Sequence, residues 1–362
     1  METIRPLPAT AQLIKVTGIR FMRLAINPAG SALVLALGAI AIGIFAPRSF
    51  AASREQLIEE AKREGEVVVY ASMNLEEANR MIARFEQKYP FVKVRLNRAD
   101  SEKLLTRILT ETRAKKFFAD AIQTLGFAMH TLKKSQLLGR YLSPENGQYA
   151  KEFKEDDYWT TVYTNPYVVA YNSRTVSREN LPRKYEDLLH PMWHGKMMME
   201  PTKVDWFGGV LQLMGKEKGL KYMRELSKQN IMNRIGHDLI AQLVAAGEAS
   251  LDIDIPAPSV DRVRRRGAPI DWVAFPPAPA SLIGIGIGSQ PPHPNAARLY
   301  VDFALSYEGQ KILADSGRYL ARAEFVQEQM VKAKGLQMIP VNPDLGENIV
   351  EYAKLMREIF GQ

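Results

Sequence analysis

Gly65-Glu66-Val67-Val68-Val69-Tyr70-Ala71-Ser72 is a continuous apolar run, largely β-branched, set directly behind a glycine. Such a run suits a strand covered on both faces. Upstream, Arg54 to Glu64 predicts a helix with Leu57, Ile58 and Ala61 on one face and Glu59, Glu60, Lys62 and Arg63 off it. Gly65 is the stop, since glycine tolerates the left-handed cap. Downstream, Ser72 to Asn74 is a polar loop, and Leu75 to Tyr89 carries Ala78, Met81, Ile82 and Phe85 at helical spacing before Pro90. Val92 to Leu96 alternates as a strand. Ser101 is expected to cap a helix from Glu102 to Lys115, and Asp120 to Leu125 is a third strand. Strand, helix, strand, helix, strand implies right-handed parallel crossovers in an α/β layer structure.

A second set follows. Lys196 to Met199 and Leu251 to Ile255 read as strands, and Leu211 to Lys228 and Asp238 to Ala246 as helices. Pro166 to Tyr171 and Trp272 to Phe275 are extended and lie between the sets, as strands that cross from one lobe to the other must. The first lobe is therefore expected at about 65–165 plus 276–318, the second at 172–271, and a helical segment at 319–362 that can pack on either.

The N-terminus has a different character. Ser31 to Phe45 is an apolar run of 15 residues, followed by Ala46-Pro47-Arg48-Ser49-Phe50-Ala51. A spanning helix needs about 20 residues. Basic start, short apolar core and small residues before a cut are the layout of a secretory signal. Residues 1–51 are read as that signal, cleaved after Ala51, with Met22 as an alternative start; an uncleaved anchor is the competing reading. The remaining 311 residues carry a net charge of +4 rather than the +8 of the whole chain. Arg262 and Arg264-Arg265-Arg266 are the one basic cluster, read as a solvated face, so no nucleic-acid partner is expected. There is no cysteine, which excludes a lipid anchor on cysteine, disulfides and thiolate metal sites.

Five segments, in order, resemble the bacterial extracellular solute-binding proteins, the periplasmic components of ABC importers. They are Gly65 to Ser72, Phe85 to Pro90, Ala119 to Ile122, Tyr185 to Lys196, and His293 to Ala297 with Ser306 to Gln310. The likeness is to the branch that holds ferric-iron, thiamine and 2-aminoethylphosphonate binders. It implies a type II periplasmic-binding fold, with two α/β lobes, hinge strands and a ligand clamped between them. It also implies a non-enzyme, without cofactor, that works as a monomer with membrane permease and ATPase subunits in the periplasm.

In open α/β sheets ligands bind beyond the carboxyl ends of the strands, where helix N-termini offer free N–H groups. In the first lobe that rule selects Ser72, Met73, Asn74, Ser101 and Thr124. In the second it selects Thr202, Asp205, Trp206, His237 and Asp254, with Glu200 close by. Ser72 and Ser101 have a competing role as helix caps, Trp206 as core and His237 as a cap or surface residue. Asp252 and Asp254 share one face of a strand and want solvent, a cation or a hydrogen-bond partner. Tyr163 and Tyr167 flank the crossing.

The iron-binding relatives place two adjacent tyrosines after the strand that follows an Ala-Gly-Glu turn. Here that turn is Ala246-Gly247-Glu248, and Pro256-Ala257-Pro258-Ser259 follows the strand without a tyrosine. An organic or anionic solute is expected, with no committed metal ligand. Ferric or another metal ion is the alternative, His237, Asp254 and Glu200 suiting a softer divalent ion. Gly284, Gly286 and Gly288 alternate with isoleucines on one strand face, which points to tight backbone packing and not to a dinucleotide fingerprint. His190 and His194 are separated by Pro191, so they are not a helical pair of zinc ligands. No nucleophile elbow or P-loop occurs, which weighs against a secreted enzyme on the same scaffold. A membrane sensor would carry a spanning helix and cytoplasmic domains that this sequence lacks.

Overall fold

A computed structural model of the chain describes residues 47–332 and 336–361. The apolar run expected to be the signal core lies outside them. Among the described residues no helix is long and apolar enough to cross a membrane.

The first part of the chain forms α1 (Pro47–Glu64), β1 (Glu66–Ala71), α2 (Leu75–Lys88), β2 (Lys93–Arg98), α3 (Ser101–Arg113), β3 (Ala121–Leu125), α4 (Gly126–Lys134) and the short strands β4 (Leu138–Gly139) and β5 (Lys154–Glu155). The long strand β6 (Trp159–Asn172) leads out. Then come β7 (Met197–Met199), α5 (Val204–Met214), α6 (Lys216–Ser227), β8 (Met232–Asn233), α7 (His237–Ala246), β9 (Leu251–Pro256), α8 (Ala257–Arg265) and β10 (Ile270–Val273). The chain returns through β11 (Ala278–Gly288) and adds α9 (Pro294–Leu305), α10 (Tyr307–Asp315), α11 (Ala323–Lys332), β12 (Met338–Pro340) and α12 (Ile349–Phe360).

The sheet path runs β2-β1-β3-β11-β6-β9-β7-β8. Its two ends are built alike. β1 pairs parallel with β2 and β3, and β7 pairs parallel with β8 and β9. The middle strands β11 and β6 are antiparallel to each other and to their outer neighbours. Each serves both lobes. β6 pairs with β11 up to Pro166 and with β9 from Tyr167 onward, while β11 pairs with β12 at Ala278–Ala280 and with β3 from Ile283.

Both faces of the first lobe are covered, as the apolar run of β1 requires. Val67, Val69 and Ala71 pack with Phe85, Phe303 and Leu299 on one side, and Tyr70 packs with Leu104, Ile122 and Leu132 on the other. The second lobe repeats the plan, with Leu251, Ile253, Trp206 and Phe207 on one face and Met198, Ile240, Val244 and Val260 on the other. The interleaved glycines of β11 fit as read. A Cβ on Gly284 would lie 2.5 Å from the Trp159 ring, and one on Gly286 would lie 2.4 Å from the Tyr158 carbonyl oxygen.

Several boundaries differ from expectation. The helix read as Leu211 to Lys228 is two helices, broken at Gly215 with φ +80°. One glycine is tolerable inside a helix, so pattern alone could not place the break. α1 begins at Pro47 rather than Arg54, and proline suits a first helical turn. The strand read as Pro166 to Tyr171 is the inner part of a longer one. The extended stretch near Trp272 is β10, which pairs only with the second-lobe end of β6, so the returning strand is β11. Ser101 is the first residue of α3 and not its cap, which is Asp100. α12 packs on α5 and α6, and so on the second lobe.

Candidate functional site

Strand register locates the site. Moving along β6 from Thr160 to Pro166 approaches the crossing from the first lobe, and its partner residues in β11 run from Ile285 to Ala280. The carboxyl end of β3, Leu125, pairs with Ile283, close to that crossing. From the other side, the carboxyl end of β9, Pro256, pairs with Tyr167. The parallel strands of both lobes therefore direct their carboxyl ends toward the same stretch of the crossing strands. Beyond those ends begin α2, α3 and α4 in one lobe and α5, α7 and α8 in the other. Each N-terminus presents unpaired N–H groups and a partial positive charge.

The first-lobe edge is neutral and polar. The Ser72 amide donates to the Gln123 carbonyl at 3.0 Å, and Ser72 lies two residues before the cap of α2. The cap of α2 is Asn74, whose Oδ1 accepts from the Glu76 amide at 3.0 Å. Met73 is core, and its carbonyl oxygen accepts from Arg98 Nε. Ser101 Oγ accepts from the Leu125 amide at 3.4 Å, linking two of the loops. The Thr124 and Thr161 hydroxyls are buried without a partner. Deeper, Asp120 is fully buried and accepts from the Val68 amide at 2.7 Å and from the His293 amide and Nδ1 at 2.7 and 2.8 Å.

The second-lobe edge is ionisable. Asp254 Oδ1 accepts from the Glu200 amide at 3.0 Å, and Asp252 Oδ1 accepts from the Asp254 amide at 3.3 Å. Glu200 is buried; its Oε1 accepts from Thr202 Oγ1 at 3.1 Å and lies 3.2 Å from Lys203 Nζ. His237, first residue of α7 behind Gly236 at φ +101°, brings Nε2 to 3.5 Å from Glu200 Oε2 without making a hydrogen bond. Burial raises both aspartic acids above the ordinary carboxylate range, and the charge of Asp252 raises Asp254 further. Burial, with Lys203 and Arg262 nearby, drives His237 well below the usual histidine value and keeps its ring neutral. Burial opposes the charge of Lys203, but Glu200 and Asp205 outweigh it and leave the ammonium raised.

Other candidates occupy different places. Trp206 is 1% exposed and belongs wholly to the core between α5 and the sheet. Asp205 is a fastening, accepting from the Tyr167 and Ser281 hydroxyls and so gripping β6 and β11 where they cross. Sequence reasoning missed the pair that spans the crossing from above. Arg318 makes a bidentate contact with buried Glu77 at 2.8–3.1 Å, donates to Asn165, and stacks 4.5 Å from the centre of the Tyr163 ring. No local pattern could have paired residues 241 positions apart. Lys203 was equally silent, and only the two-residue spacing of Asp252 and Asp254 signalled the acidic pair. The arginine cluster is largely matched by acids, Arg262 with Asp238, and Arg264 with Asp261 and Asp271. A cavity of about 940 Å³ lies elsewhere, against α1 and α9, lined by Leu57, Tyr141, Leu142 and Arg298.

The family model of the bacterial extracellular solute-binding proteins matches residues 113–355, about two thirds of the chain. The Fe(3+)-binding periplasmic protein of Serratia marcescens is 23% identical over 171 residues, 44% of this chain and half the length of that relative. Among solved structures, apo ferric ion-binding protein A of Pasteurella haemolytica superposes with a TM-score of 0.71 at 18% identity, covering 82% of this chain and 98% of that one. Iron-bound HitA of Pseudomonas aeruginosa gives 0.69 at 20%, covering 82% and 99%. AfuA of Actinobacillus pleuropneumoniae with fructose-6-phosphate gives 0.67 at 23%, covering 81% and 97%. These likenesses show the fold, the type II periplasmic-binding architecture, and leave the ligand to the residues.

Proposed function

The chain belongs to the bacterial extracellular solute-binding protein family, and from that premise we propose that it is the periplasmic capture subunit of an ABC importer. It takes a small organic or anionic solute between the two edges, closes on it and hands it to permease and ATPase subunits in the membrane. One observation carries the reading: the carboxyl ends of both sets of parallel strands converge on the crossing of β6 and β11. A guest there touches both lobes at once, and closure is favoured by the contacts it gains only in the closed arrangement. Six helix N-termini favour an anionic group. The lobes are taken as 65–165 with 276–318, and 172–271, with 319–362 as a tail fastened to both. The chain is exported by a cleaved N-terminal signal, acts as a monomer and turns nothing over.

Ferric iron is the second reading, favoured by the name of the Serratia relative. Against it, the residues after β9 supply no phenolate, Ala257 is fully buried at the start of α8, and the Tyr167 hydroxyl is engaged by Asp205. Hard Fe(III) is served better by anionic oxygen than by an imidazole. Native mass spectrometry of the protein as purified should reveal a retained solute, and small-angle scattering should show compaction when that solute is restored. A chain that retains nothing and compacts with no organic acid, phosphate or amine offered would end the capture reading.

A further inference from the structure

We propose that the second lobe alone holds a divalent transition-metal ion, ligated by the imidazole of His237 and the carboxylates of Asp252 and Asp254. The site does not rest on the capture reading, because none of its ligands comes from the first lobe.

Three facts of placement lead to it. One ligand atom from each of the three residues lies within 4.8 Å of the other two. Asp252 is fully buried and its Oδ2 meets no donor, and neither ring nitrogen of the nearly buried His237 makes a hydrogen bond. Buried polar atoms are almost always partnered, so an unpartnered carboxylate oxygen beside an unpartnered imidazole marks a missing group. The elements then explain why they converge. Asp252 and Asp254 sit two apart on β9 and point the same way, while α7 starts just after β8, which leads His237 to the same edge.

Charge and chemistry narrow the class. Asp252, Asp254 and Glu200 bring three negative charges when ionised, and Lys203 brings one positive charge. A doubly charged ion makes the group neutral, which a buried site demands. One imidazole with two carboxylates suits borderline ions such as Zn(II), Mn(II), Fe(II) or Co(II), whereas Ca(II) wants six to eight oxygens. Bonds of about 2.0–2.2 Å place tetrahedral ligand atoms roughly 3.3–3.6 Å apart, so the three need close by at most about 1.5 Å. Glu200, 3.5 Å from the ring, is positioned to orient the imidazole through its second nitrogen. The other cluster of this kind among the described residues, His130 with Glu155 and Asp344, is already served by internal partners. Lys133 lies 2.5 Å from Glu155, and His130 Nε2 lies 3.1 Å from Glu347. A proton shared between Asp252 and Asp254 is the rival way to hold the acidic pair.

The test uses the full chain, stripped with chelator and re-exposed to Zn(II) or Co(II). Native mass spectrometry should show one ion per chain, and the visible spectrum of the Co(II) form should report mixed nitrogen and oxygen ligation. Asp252→Asn and His237→Gln should each weaken retention at least tenfold while circular dichroism stays that of the parent. His237→Gln, at the rim of the cluster, guards against a variant that simply fails to fold. No retained ion, or equal retention by parent and both folded variants, would overturn the site and leave the shared proton in its place. Compaction with an organic solute but silence toward metals would overturn this inference alone, whereas silence toward both would also remove the capture reading.

Discussion

The two edges that face the crossing strands are built to the same plan and furnished differently. The first lobe presents hydroxyls and an amide, Ser72, Asn74, Ser101 and Thr124, much of whose hydrogen bonding goes to neighbouring backbone. The second presents buried Glu200, Asp252 and Asp254, with the nearly buried His237 and the partly exposed Lys203 beside them. A neutral hydrogen bond contributes about 0.5–1.5 kcal/mol, and one to a charged group about 1.5–3. On the proposed capture role, the difference teaches that the first edge shapes the space, while the second sets which charge enters it.

The largest effect that would break this division comes from Trp206. It follows the same strand as Glu200, yet it faces the core, so Trp206→Ala should lower stability by about 3–5 kcal/mol in urea unfolding. Affinity per folded molecule should hardly change. A stable variant that has lost its solute would move the tryptophan into the binding wall. Next, Asp254→Asn should weaken binding of whatever the chain retains by about 1.5–3 kcal/mol, read by calorimetry, because it alters the group on which Glu200 is seated. Ser101→Ala should cost only about 0.5–1.5 kcal/mol. Equal losses from the two edges would erase the contrast between them.

The smallest expected effect concerns acid behaviour in the first lobe, away from the edge. Burial raises Asp302 above its usual 3.8, opposed by the hydroxyls of Ser143 and Tyr141 and by Arg54. The folded state thus holds that proton more tightly than the unfolded one. Its contribution is complete below about pH 4 and is lost as pH rises through the raised value. Asp302→Asn should flatten that decline in melting experiments at mildly acid pH; a parallel decline in parent and variant would assign it to other groups.

Much of this was legible in the sequence. The alternation of β1, α2, β2, α3 and β3 was readable because each element has its own period and a glycine, proline or polar loop between it and the next. Loops named from the strand-to-helix rule do lie at the converging edges. What escaped was tertiary. Whether Trp206 faces core or cleft depends on the rotation of α5, which only packing fixes. Whether Ser101 caps or merely begins α3 turns on one residue of offset. Glu77 and Arg318 have no sequence relation at all, and meet because α10 returns to the first lobe late in the chain.

That late return governs the order in which the molecule can be finished. The first lobe needs β11 to flank β3, and Ala297, Leu299 and Phe303 to fill its core. The second needs Tyr352 and Met356 of α12. During synthesis, neither lobe can close its core until residues beyond 278 have left the ribosome. A chain of this wiring therefore spends most of its manufacture with both cores unfinished, and the two lobes are completed nearly together at the end.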